Sequence, residues 1–106
     1  MVEDALAVKE AGAQMILLEA IPPEVAQYIT RQLSIPVLSI GAGPDCDGQL
    51  LIVSDMIGQF QAFTPKFVKK YENLGAKTLE AFKKYAAEDR SGAFPVEEHA
   101  YGMVEG

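Results

Sequence analysis

Basic charge, cysteine and histidine are scarce in this chain, and a long apolar run is missing altogether. Lys and Arg number 9 against 15 Asp and Glu, a formal net charge of -6. That balance excludes a nucleic-acid or anionic-membrane surface, because both need clustered Lys and Arg to replace counterions. The basic residues fall mostly between Lys66 and Lys84, interleaved with apolar and acidic ones, a spacing that reads as the solvated face of a helix. The single cysteine, Cys46, rules out an internal disulfide and fits a reducing compartment. No stretch approaches the roughly 18 apolar residues of a membrane-spanning helix. The opening "MVEDALAVKEAG" is acidic where a secretory signal would be basic, so a cytoplasmic location is expected. Low-complexity runs are missing too, as are internal repeats beyond the alternation described next.

What is present is the material of one small α/β domain. The 106 residues suffice for one domain and not for two. With 49% hydrophobic and 23% charged residues the chain is globular rather than disordered. Residues 2–11 carry Val2, Ala5, Leu6, Val8 and Ala11 close to a helical period, and Gly12 supplies a stop. Residues 15–20 form a short continuous apolar run, hence a buried strand. Pro22-Pro23 then opens a helix: proline is tolerated in the first turn, Glu24 suits the positive end of the dipole, and Val25, Tyr28, Ile29 and Leu33 line one face. "PVLSIGAG" follows as a second buried strand. Such alternation points to βαβ units around a parallel sheet.

The remainder is less regular. The run "QLLIVSD" at 49–55 predicts a third strand, since Leu50, Leu51, Ile52 and Val53 are consecutive and suit burial on both faces. "GPDCDG" is then very short for a parallel crossover, which usually takes a dozen residues or more, and a short helix over 49–57 is the alternative. Beyond the aromatic loop "IGQFQAFTP", Pro65 opens the longest helical stretch. Its stripe is Phe67, Tyr71, Leu74, Leu79, Phe82 and Tyr85, with Gly75 breaking or kinking it. A tail rich in turn residues closes the chain. Three parallel strands with about three helices leave two open sheet edges and one face partly bare. The pattern is that of part of a larger closed structure, or of a chain completed by partners.

Glu19 stands at the tip of the first strand, where parallel α/β proteins build their sites. Flanked by Leu17, Leu18 and Ile21, it is expected to be poorly solvated, which would make it a usable base or acid near neutral pH. Alternatively it caps the next helix or pairs with a lysine. Gly41 and Gly43 sit at the matching end of the second strand, either as a tight turn or as a place where backbone N–H groups approach a ligand. They do not complete a dinucleotide fingerprint, since Pro44-Asp45 follows instead of a helix. "DCDG" fails as a calcium loop: with Asp47 and Gly48 in the fifth and sixth places, Gly43 and Ser54 would fall where carboxylates are required. A turn stabilised by aspartate side chains is the better account. Cys46 has no neighbouring His or second Cys to activate it. His99, between "EE" and "AY", suits docking of the tail better than catalysis.

Four segments in order, "AGAQMILLEAIPPEVAQYIT", "SIPVLSIGAGPDCDGQLLIVSDMIG", "TPKFVKKY" and "SGAFPVEEHAY", resemble the C-terminal part of the ketopantoate hydroxymethyltransferase family. The resemblance implies that residues 1–106 are the C-terminal segment of a single (β/α)8 TIM-barrel domain, about three parallel strands with flanking helices. It implies transfer of a hydroxymethyl group from 5,10-methylenetetrahydrofolate to 3-methyl-2-oxobutanoate, giving 2-dehydropantoate. Glu19 matches the family's proton acceptor, and Gly41 and Gly43 would border substrate or folate. The family's magnesium ligands would lie outside this chain, leaving no metal ligand within it. A homo-oligomer, commonly a decamer, is implied as well.

The departures bear on activity. Family members are much longer, and the metal-binding carboxylates and most keto-acid contacts belong to the missing part. Ser39, Ser54 and Val96 stand where the family usually has Gly, His and Gly. The expectation is a chain incomplete for turnover by itself. The alternative is a non-catalytic remnant that self-associates or docks onto a full-length relative through its sheet edges and the Phe60–Phe63 loop.

Overall fold

Three short strands carry the architecture, and each is fixed by its neighbour rather than by its own length. In the computed structural model, which describes residues 1–104, the order is α1 (Val2–Glu10), β1 (Ile16–Glu19), α2 (Pro23–Gln32), β2 (Val37–Ile40), β3 (Gly48–Gln49), α3 (Val53–Met56) and α4 (Leu74–Ser91). The sheet is parallel throughout, in the order β1-β2-β3. The first four elements fall where the apolar patterning puts them. Proline at the start of α2 sits where its missing N–H costs nothing.

Side chains alternate between the two faces of a strand. Ile16 and Val37, paired in register, turn toward the helices and pack with Ala5, Ile29 and Leu33. Burying Ile29 and Val37 contributes about 1.5–3 kcal/mol each. Ala26, fully buried, occupies the inner face of α2 where Tyr28 was expected; Tyr28 is 53% exposed. The opposite sheet face pairs Leu17 with Leu38 and Glu19 with Ile40. Leu17 stays 47% exposed on it. One face of the sheet is thus covered by helices, and the other is left partly open.

Two expectations need correction. The run at 49–55 is neither all strand nor all helix. Only Gly48 and Gln49 pair with β2, and Leu50 N donates to Ser39 O at 2.9 Å as the last bond of the ladder. After that the chain turns into α3. The short crossover is genuine: Asp47 Oδ2 accepts from Val37 N at 2.8 Å while Asp47 N donates to Val37 O at 2.9 Å. An aspartate thus clamps the loop to the strand where a helix would ordinarily intervene.

The second correction concerns the helical stretch from Pro65. Residues 65–73 are not helical, because their donors are used elsewhere. Tyr71 N and Leu74 N donate to Met56 O and Ile57 O at 2.7 and 3.0 Å. Asn73 then caps α4, its side chain accepting from Ala76 N at 3.4 Å. The break falls at Asn73, and Gly75 lies in the first turn of α4. None of α4 is buried, and the Cα radius of gyration is 24.0 Å, against about 13 Å for a compact chain of this length. The helix projects from the sheet. The tail folds back on it, with Phe94 centred 5.8 Å from Tyr85 and 4.9 Å from His99. His99 Nδ1 also accepts from Val96 N at 3.2 Å, so these contacts of the histidine lie within the tail and Phe94 is the residue that meets α4.

Candidate functional site

The C-terminal ends of the three parallel strands converge on one side of the molecule, and two cavities open there. One, of about 430 Å³, is lined by Gly41, Gly43, Gln49, Phe67, Lys69 and Tyr71 among others. The other, of about 560 Å³, runs from Ala20 through Pro23 to Lys66 and shares Gly41, Gly43 and Phe67 with the first. Both lie within the size range of small-molecule sites.

The walls are set by backbone geometry. Gly41 and Gly43 have φ of 71° and 87°, in the left-handed region that glycine enters without cost. A Cβ on Gly41 would run into the Phe67 ring, and one on Gly43 would lie 2.6 Å from Pro23 Cβ. The space above both glycines is filled by the protein itself, which makes them a tight turn; they also line both cavities. Ser39 locks this turn from below. Its side chain is fully buried, and its Oγ accepts from Ala42 N at 3.0 Å. Gln49 Nε2 donates to Gly43 O at 2.9 Å and ties the third strand to the same loop.

Glu19 closes β1 on the open sheet face, opposite Ile40. Ala20, next in the chain, takes φ 51° and donates to Ile40 O at 2.9 Å, so the strand ends in a sharp left-handed turn. Glu19 is exposed and is not among the residues lining either cavity. The dry surroundings expected of it are not supplied by Leu17, Leu18 and Ile21. Leu17 is itself half exposed, and Leu18 and Ile21 pack toward the helices. Cys46, partly buried, lies 3.5 Å from Thr30 Oγ1 beneath the sheet. Ser54 sits in α3, where its carbonyl accepts from Gln59 N and Phe60 N. Val96 precedes the 3-10 turn Glu97–His99 of the tail. Neither lines the two cavities.

Among the described residues no group of three or more His, Cys, Asp or Glu is placed to hold a metal ion. The described side chains do not form a magnesium site by themselves. Sequence reasoning missed Lys66, Phe67 and Lys69, which it assigned to a helix face. The signal available was Pro65 with "TPKFVKKY" following an aromatic loop, a pattern equally at home in a loop that folds over strand ends.

A parallel sheet with helices on one face and a glycine turn at its strand ends defines an α/β protein, a class in which strand termini are where sites are built. Comparison with known proteins gives the family. A sequence profile described as ketopantoate hydroxymethyltransferase matches residues 1–97. The 3-methyl-2-oxobutanoate hydroxymethyltransferase of Alkaliphilus metalliredigens is 55% identical over 105 residues, covering 99% of this chain and 37% of the relative. That of Syntrophomonas wolfei is 50% identical over 105 residues, covering 99% and 38%. The fungal relative from Emericella nidulans is 48% identical over 103 residues, covering 95% and 30%. The chain belongs to the ketopantoate hydroxymethyltransferase family, and it spans little more than a third of the length of the curated relatives it matches.

Proposed function

We propose that this chain is a three-strand segment of a (β/α)8 barrel that transfers a hydroxymethyl group from 5,10-methylenetetrahydrofolate to 3-methyl-2-oxobutanoate, giving 2-dehydropantoate. The observation that carries this reading is Glu19 at the end of β1, on the sheet face that the helices leave open, in a chain of this family. In a closed barrel that face looks inward, and the remaining strands would supply the dry walls that this chain lacks. Glu19 then removes the proton from C3 of the keto acid, and the C–H electron pair passes into the enolate. The one-carbon unit is held by two donor nitrogens: water gives it an oxygen as both C–N bonds break and each nitrogen takes up one of the water protons. The enolate carbon adds to the resulting aldehyde-level carbon, and the proton held by Glu19 passes to its oxygen to give the hydroxyl. The described residues form no metal site, and ligands for magnesium would come from the rest of the barrel.

The resemblance of its motifs supports a place for this third at the C-terminal end of the domain. The remaining assignments go with it: a cytoplasmic enzyme acting on small molecules, without nucleic-acid or membrane partners, that assembles as a homo-oligomer, a decamer when the barrel is complete. Complementation tests the reading. The chain is mixed with the first two thirds of a full-length relative, and separately with the last two thirds, and folate-dependent formation of 2-dehydropantoate is measured. Turnover only with the upstream piece, abolished by Glu19→Gln, is the expected result. Turnover only with the downstream piece puts this segment at the other end, and turnover that survives Glu19→Gln removes the glutamate from its role.

A second reading is favoured by α4, which buries nothing and exposes Leu79, Phe82 and Tyr85 at 53%, 67% and 59%. A non-catalytic remnant that self-associates would use such a surface. A discrete oligomer that complements neither piece supports it.

A further inference from the structure

The loop that folds over the strand ends brings cationic side chains to two cavities whose other lining residues are uncharged. Of the residues lining the two cavities, only Lys66 and Lys69 are charged, in a chain whose net charge is -6. They flank Phe67, whose ring is pinned against Gly41 and forms a wall common to both cavities. A turn fixes the spacing, with Val68 N donating to Pro65 O at 3.0 Å. Lys69 Nζ lies 5.0 Å from the centre of the Tyr71 ring, and no salt bridge engages either lysine among the described residues. Aromatic side chains for a flat ring and two ammonium groups outside any salt bridge, Lys69 resting over Tyr71, thus stand side by side.

We propose that the two cavities form one continuous ligand groove, in which Phe67 and Tyr71 receive the aromatic part of an anionic ligand and Lys66 and Lys69 receive its carboxylates. The proposal rests on the folate-dependent reading above and deepens it: the carboxylates are those of the donor's γ-linked glutamate tail. Lys66 and Lys69 are then specificity-determining residues that distinguish long-tailed from short-tailed donors. Gly41 contributes by letting the Phe67 ring lie directly on the turn, and Gly43 by letting Pro23 do the same, which sets the walls of the groove.

Each lysine works at an exposed site, where an ion pair contributes modestly and is screened by salt. Two of them predict a preference of about tenfold at low salt. The test is equilibrium dialysis of the 106-residue chain against 5-formyltetrahydrofolate carrying one or three γ-linked glutamates. The expected result is about tenfold tighter binding of the triglutamate, a preference that shrinks as salt rises. The double variant Lys66→Gln, Lys69→Gln loses the preference while its circular dichroism is unchanged, and Lys70→Gln, outside both linings, retains it. Equal affinities for the two probes, no binding of either, or a preference that survives the double variant each overturns the groove. Failure of the functional reading is separable. Absent turnover in the complementation assay with tail-dependent binding intact overturns the transferase assignment and leaves the groove standing. Glu19-dependent turnover without tail dependence does the reverse.

Discussion

Replacing Ser39 by alanine tests how the turn at the strand ends is held. Ser39 is fully buried and Ala42 is 1% exposed, so water cannot reach the bond between the Ser39 oxygen and the Ala42 amide. Removing the hydroxyl leaves a buried N–H without an acceptor, which costs about 1–3 kcal/mol, and the lost oxygen leaves too small a space to add much. Taking about 2 kcal/mol, hydrogen exchange at the Ala42 amide should quicken by roughly thirtyfold, and the urea midpoint should fall by about 1 M. Ser39→Thr separates the causes. It keeps the acceptor oxygen but forces a methyl group into a filled site, costing about 1–3 kcal/mol while Ala42 stays protected. The measurement is amide exchange by NMR on the three proteins, with urea unfolding alongside. Unchanged protection at Ala42 in Ser39→Ala would refute the idea that this serine fixes the floor of the groove.

Further outcomes follow from other contacts. Gly43→Ala should destabilise by about 1–3 kcal/mol in urea unfolding, since alanine at φ 87° is strained and its Cβ meets Pro23. Leu17→Ser should change the stability of the isolated chain by less than about 0.5 kcal/mol, as this side chain is half exposed, yet it should weaken complementation severalfold if the proposed barrel closes over this sheet face. Glu72 is held below the usual carboxylate range by its hydrogen bond to the Lys77 ammonium, then by the Asn73 amide, then by the Lys77 charge. A lowered folded value means that the support this group gives to the start of α4 is present above the carboxylate range and is lost as pH falls through it. Helicity by circular dichroism should therefore drop on acidification more in the parent chain than in Glu72→Gln. Ending the chain after Asn73 should leave the free energy of urea unfolding within about 0.5 kcal/mol of the parent value, because α4 buries no side chain.

The sequence alone determined the first four elements, the parallel sheet and the placing of Glu19 at a strand tip. Continuous apolar runs bounded by Gly and Pro report burial and local backbone choice directly, and both are properties of short stretches. It also determined that the sheet would be incomplete, since three strands cannot cover both faces and close both edges. What only the tertiary structure decided depends on partners distant in the chain. Tyr71 and Leu74 give their N–H groups to the carbonyls of Met56 and Ile57, so a stretch with helical spacing folds as a loop instead. That loop lays Phe67 across Gly41 and turns Lys66 and Lys69 from a presumed helix face into the walls of the two cavities. Asp47 replaces a crossover helix by pairing with Val37, a bond that residue spacing does not reveal. Solvation of Glu19 is decided the same way: its neighbours in sequence are apolar, but dryness comes from what packs on the far side of the sheet, and this chain places little there.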